Sequence, residues 1–296
     1  MTLYTGILIV GYFIFFLACV VAMLWWMRRQ RQVRHPLDND LRLLRMPGET
    51  QFKIITEFQE NLFLYMVTAA YVPVFVGVLA LVVFTRLPGW GAVAGLGVSV
   101  GFFIVAFILS ARWLNRRIIE RSNRYLGYFG ERVVAEHLEP LKLKGWRIFH
   151  DVPATAGRAS FNIDHVAIGP SGIFAIETKT RRKGRSRPGR KDYEVWFDGI
   201  SLSWPWGEDR HGIEQARRNA QWLEEKLGAV TGEAPRVEPV LTVPGWMVIE
   251  KTRSPLRVVN PKVLAPVLTS RRPLLTEQQV ERYARFLEER CRNVEY

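Results

Sequence analysis

Asp164, Glu177 and Lys179 interrupt the stretch NIDHVAIGPSGIFAIETKT, residues 162–180, which otherwise reads as two apolar strands. A buried strand pair favours Val or Ile at such positions, so three charged side chains need a chemical reason. The two runs meet at Gly169-Pro170-Ser171-Gly172, and proline second with glycine fourth suits a tight turn. An even-length turn pairs Gly169 with Gly172, Ile168 with Ile173, and onward to Asp164 with Glu177. Paired residues share a sheet face, and Lys179, two positions on, joins them. A three-residue turn with a bulge would shift the register by one and separate them. Directly opposed carboxylates destabilise a sheet unless a cation sits between them. Oxygen ligands of this kind suit a hard cation such as Mg²⁺, which polarises a phosphoryl group and lowers the pKa of a bound water. A neighbouring ammonium orients that water or offsets charge in the transition state. The competing reading is a solvated strand face. Against it stand Ile163, Val166, Ile168, Phe174 and Ile176, which look like core.

The elements that must position these residues follow from periodicity. Apolar positions 126, 129, 133, 134, 138 and 141 have a helical period. Strands are expected at 146–152, 161–168 and 172–180, then a hairpin over 193–204 turning at Asp198-Gly199. A helix follows through GIEQARRNAQWLEEKLG, ending at Gly228. Strands at 237–243 and 256–260 precede a last helix whose Thr276 and Gln279 form a capping box. The order α-β-β-β-(hairpin)-α-β-β-α predicts an α/β layer fold with a small mixed sheet.

On these residues the chain resembles a known family. Asp164 with Glu177-Thr178-Lys179 is similar to the signature of the PD-(D/E)XK nuclease superfamily. GERVVAEHL, IDHVAIGPSGIFAIETKT and the helix holding Gln215 resemble, more closely, the nuclease-related domain, NERD. The resemblance covers about 126–240 and implies an α-β-β-β-α-β core. It also implies a metal site of Glu131, Asp164 and Glu177, a catalytic Lys179 and an accessory Gln215, with Mg²⁺ or Mn²⁺ as cofactor and hydrolysis of nucleic acid, DNA first, as the reaction. Ile163 stands where the superfamily name has proline, and GEDRHGIEQ lacks the Asn-Pro expected before the glutamine. His165 follows Asp164 and so points to the opposite face, where a packed role is expected. His137, His150 and His211 show no ligand spacing, and no zinc site is expected.

The loop TRRKGRSRPGRK begins just after Lys179 and carries Arg181, Arg182, Lys183, Arg185, Arg187, Arg190 and Lys191. Its place at the mouth of the site suits sequence-independent contact with a phosphate backbone. The competing readings are a solvated loop or one lying on anionic lipid. Trp196, Trp204 and Trp206 follow and could stack on bases, with core packing the expected use of Trp196.

The rest of the chain sets this domain in a membrane. Three uncharged apolar runs, at about 4–26, 62–84 and 92–111, have the length of bilayer spans. No basic segment precedes the first and arginines follow it, so it reads as a permanent span, not a cleaved leader. Arg28, Arg29, Arg31 and Arg34 follow run one, and Arg112, Arg116, Arg117, Arg121 and Arg124 follow run three, while the short loop after run two has only Arg86. The positive-inside rule then places the N-terminus outside, with the loop 28–61 and everything after 112 in the cytoplasm. Trp25, Trp26, Trp90 and Trp113 sit where interfacial anchors belong. Gly91, Gly95, Gly97 and Gly101 give two small-residue spacings, for packing of run three on run two or for a homodimer seam. Pro73 is expected to kink run two. The domains expected are a membrane region 1–113, a nuclease-related domain 114–250 and an extension 251–296. The net charge of +13 points to phosphate-bearing partners, nucleic acid or anionic lipid, although arginines flanking spans account for part of it. Cys19 and Cys291 make no disulfide framework. No span carries an ionisable residue, which argues against a transporter. Two functions remain, a membrane-anchored nuclease and a catalytically idle, tethered module that binds nucleic acid or a partner.

Overall fold

The structure is a computed structural model that describes residues 3–31, 41–84, 86, 88–184, 186 and 188–294. It divides into two compact units. One comprises residues 1–38 and 56–122, the other residues 39–55 and 123–296.

The first unit is helical. Its helices are α1 (Leu3–Arg31), most of α2 (Glu49–Phe84, with β1 at Leu43–Leu44 preceding it) and the first part of α3 (Trp90–Lys142). All three are long and apolar enough to cross a membrane. α2 runs unbroken past Pro73, and α3 continues for 53 residues without a break at 113. A Cβ on Gly95 would lie 2.6 Å from the Phe84 carbonyl oxygen, so this glycine serves the packing of α3 on α2. Gly97 and Gly101 meet nothing within 4 Å. Trp25 and Trp90 are exposed, and the Arg117 guanidinium lies 5.8 Å from the Trp113 ring centroid.

The second unit is a mixed α/β layer built on two sheets. After α3 come β2 (Arg147–Ala156), β3 (Ala159–Gly169) and β4 (Gly172–Thr178), then β5 (Glu194–Phe197), β6 (Leu202–Trp204) and β7 (Gly207–Asp209). Then follow α4 (His211–Thr231), β8 (Val237–Thr242), β9 (Met247–Glu250), β10 (Arg257–Val259), α5 (Leu264–Thr269), α6 (Glu277–Cys291) and β11 (Arg292–Val294). The main sheet has the order β10-β8-β4-β3-β2, with β8 and β10 parallel to their neighbours and the rest antiparallel. The second sheet, β7-β6-β5-β9, is largely an insertion between β4 and α4. Val166, Ile168, Ile173 and Ala175 pack against α4 and α6, while Ala167, Phe174 and Ile176 pack on Val134, Leu138 and Leu141 of α3. α4 earns its place by burying Ile213, Ala216, Ala220, Leu223 and Leu227 along one stripe.

Several boundaries differ from expectation. α4 passes Gly228 and ends at Gly232, whose φ of 79° makes the left-handed cap. The capping box of Thr276 and Gln279 is formed as expected. β1, β7, β9 and β11 are short strands that periodicity does not reveal. β1 pairs with β11, Leu43 facing Val294, and so part of the segment before α2 belongs to the α/β unit.

Candidate active site

The β3–β4 hairpin has the even register. Gly169 faces Gly172, Ile168 faces Ile173, Val166 faces Ala175 and His165 faces Ile176. The ladder ends there, and Asp164 and Glu177 are the next residues on β3 and β4, in phase with Val166 and Ala175. β8 clamps the end of β4, because Lys179 N–H donates to the Thr242 carbonyl at 2.9 Å and the Thr242 hydroxyl to the Glu177 carbonyl at 3.1 Å.

The side chains form one network. Lys179 Nζ donates to Glu177 Oε1 at 2.6 Å and to Gln215 Oε1 at 2.9 Å. Asn219 Nδ2 donates to Glu177 Oε2 at 2.9 Å. Asp164 Oδ2 accepts the Thr178 backbone N–H at 2.7 Å. Gln215 and Asn219 lie one turn apart on α4, which faces the same side of the sheet. Gly212 opens that helix beside the lysine: a Cβ there would lie 2.9 Å from Lys179 Cγ, so only a glycine leaves the stem its path. Glu131 arrives from α3 and is buried.

Burial sets the electrostatics. Desolvation, then the charges of Asp151 and Glu177, push the Glu131 carboxyl up to about 8, while Lys179 and the Gly48 N–H oppose the rise. Desolvation, then Glu177 and Glu131, hold Asp164 well above the usual carboxylate range, against Lys179 and the Thr178 N–H. Glu177 is raised as well, by desolvation, with Lys179 and Asn219 pulling the other way. Ionised together, the three carboxyls would carry more negative charge than one lysine neutralises, and their raised values express that repulsion and desolvation. The donors are all oxygen, and a hard cation such as Mg²⁺ needs only one or two carboxylates besides water and substrate oxygens, so this set fits it. Among the described residues, no group of three His, Cys, Asp or Glu side chains is arranged to hold a metal ion. Asp164 and Glu177 are therefore the pair to consider first, with Glu131 beside them.

The basic loop is partly engaged with its own domain. Arg181 pairs with Asp209 at 2.7 Å, and Lys191 with Glu194 at 3.0 Å. The Arg190 guanidinium lies 3.8 Å from the Trp196 ring centroid and donates to Ser203 Oγ at 2.8 Å. Lys183 Nζ is 5.8 Å from the Trp246 ring, and Arg182 is exposed. Arg185 and Arg187 lie outside the described residues. Trp196 is half-buried between Arg190 and Lys251, not in the core, whereas Trp204 is buried against Trp246. His165 is buried and meets His150, Nδ1 to Nδ1, at 2.8 Å. Desolvation depresses both imidazoles, His150 to about 4, so the pair stays neutral near pH 7.

Asn219 is not singled out by sequence, though its spacing from Gln215 was the available signal. Asp151 was likewise missed. The mixed α/β unit sets Asp164, Glu177 and Lys179 on and just past the adjacent strands β3 and β4. Residues 126–244 match the family model of the nuclease-related domain, NERD. No curated protein and no solved structure was found to match the chain.

Proposed function

We propose that the protein is a membrane-anchored, metal-dependent phosphodiesterase that cuts nucleic acid, DNA first, at the cytoplasmic face. The observation that carries this is the buried, mutually repelling set of Asp164, Glu177 and Glu131 with Lys179 inside it. Asp164 and Glu177 present oxygens to Mg²⁺ or Mn²⁺, with Glu131 alongside. When bound, such a cation supplies Lewis acidity and a water of lowered pKa. Asn219 fixes one Glu177 oxygen, which leaves the other to face the ion or the ammonium. Lys179, steered by Gln215, places positive charge where the phosphoryl oxygens gain negative charge. Arg181, Arg182, Lys183, Arg190 and Lys191, with Arg185 and Arg187 between them in sequence, contact the backbone without choosing a sequence. The arginine asymmetry supports a cytoplasmic domain and an outer N-terminus.

One observation favours the other reading, an idle tethered binding module: Lys179 is locked between Glu177 and Gln215. The purified full chain, incubated with linear, circular and single-stranded DNA with and without Mg²⁺, separates the two. Cleavage that chelator abolishes supports the hydrolase, and binding without cleavage supports the module.

A further inference from the structure

We propose that the strap Arg45–Thr50, which leads into α2, is a positioning element of the active site: Gly48 seats it on α3 one turn from Glu131, and Asp151 fastens it beside Asn162 of β3, the strand that carries Asp164. This rests on the hydrolase reading above.

The strap is built for one seat. Gly48 has a φ of +72°, and a Cβ there would stand 2.6 Å from Tyr128 Cδ2. Tyr128 lies one turn before Glu131 on α3, so Gly48 packs beside the helix face that presents the carboxylate. The Gly48 carbonyl accepts the first helical bond of α2, from Phe52 N–H at 2.8 Å. Free amides at a helix start need acceptors, and here a carboxylate supplies one: Asp151 Oδ2 accepts the Thr50 N–H at 2.9 Å and the Thr50 hydroxyl at 2.7 Å.

Asp151 ties more than one segment. Arg45 Nε donates to its Oδ2 at 3.0 Å, Arg45 Nη2 adds a second bond to the same oxygen, and Asn162 Nδ2 donates to its Oδ1 at 2.9 Å. The Thr50 oxygen also accepts from Arg45 Nη2 at 2.6 Å and from Asn162 Nδ2 at 2.5 Å. Asp151 is 3% exposed and is the one non-glycine among the described residues with positive φ, at 47°. Such a conformation is strained and persists where its surroundings fix it. Asn162 sits two residues before Asp164 on β3, so the knot braces the strand that carries the site. Arg45 also donates its backbone N–H to the Cys291 carbonyl at 3.1 Å, which extends the β1–β11 pairing into the strap. The catalytic framework is thus drawn from both sides of the α2–α3 hairpin in sequence, and a fragment starting after α3's apolar run would lack it.

The test uses the full chain in detergent. Mn²⁺ affinity, the Mg²⁺ dependence of DNA cleavage and the melting temperature are measured for wild type, Thr50→Val, Thr50→Ser and Asp151→Asn. Loss of a partner that orients a metal-site carboxylate costs about tenfold or more in metal affinity. Thr50→Val and Asp151→Asn should weaken Mn²⁺ by that factor, and Thr50→Ser, which keeps the hydroxyl, should restore it. A strap that only stabilises the fold would lower the melting temperature and leave Mn²⁺ affinity as in wild type, which overturns the proposal. If Thr50→Val does not fold, Asp151→Asn carries the same comparison. A wild type that neither binds Mn²⁺ nor cuts DNA overturns the hydrolase reading itself, and this proposal with it.

Discussion

On the proposed hydrolase reading, cleavage depends on Lys179, whose ammonium donates to Glu177 within a cluster of raised carboxyls. Lys179→Ala should slow cleavage by about 10²–10³-fold, the usual cost of removing one transition-state donor, while Mn²⁺ binding persists. Steady-state rates alongside Mn²⁺ titration check this, and unaltered cleavage would refute it. The carboxyls give a pH signature. Glu131 ionises near 8 in the folded chain against 4.5 as its ordinary value. The folded state therefore holds protons that the unfolded state has released. Its extra stability is present below about 4.5 and is lost as pH rises through about 8, on the order of a few kcal/mol. Without metal the melting temperature should fall between pH 5 and pH 8, Mg²⁺ should restore it, and Glu131→Gln should flatten the slope. A chelated wild type with a level profile over that range would contradict the burial of these groups. Asp164, Glu177 and Lys179 were legible because a local turn fixes their register. Asn219, Asp151 and the strap were not, since their bonds join residues distant in sequence that only the folded sheet brings together.

At the scale of elements, the site depends on how closely α4 approaches β4. Gly212→Ala places a methyl 2.9 Å from Lys179 Cγ, so either the helix start or the lysine must move. A misplacement of about 1 Å costs about 10²-fold in rate, and cleavage should fall to that degree with the fold retained by circular dichroism. The loop after β4 is a second element with its own test. Replacing Arg182 and Lys183 together with Arg185 and Arg187 should weaken DNA binding evenly across sequences and flatten its salt dependence. An unchanged slope would assign the loop to lipid. The long strands and helices were readable from period and turn chemistry. The short strands were not: β9 has four residues after a Pro-Gly turn, and β1 has two, too few for alternation to show. The start of α3 within an apolar run hid that one helix carries both the run and Glu131.

The whole molecule adds a constraint that charge counting lacks. Residues 39–55 fold into the same unit as residues 123–296, so both segments lie on one side of any bilayer the chain crosses. The chain between them must then cross an even number of times, which the apolar stretches of α2 and α3 satisfy as a hairpin. We propose that α1 makes a third crossing, with the N-terminus opposite the α/β unit, and that the arginines after runs one and three, against Arg86 alone between runs two and three, put that unit in the cytoplasm. A reporter fused after Tyr296 should be active only in a cytoplasmic form, and one fused ahead of Met1 only in an external form. A tag placed in the loop near Arg86 should be cut by protease added to intact cells, and a C-terminal tag should resist it. Cleavage of both tags would break the parity that the folded unit imposes, and cleavage of the C-terminal tag alone would keep the hairpin but invert the protein.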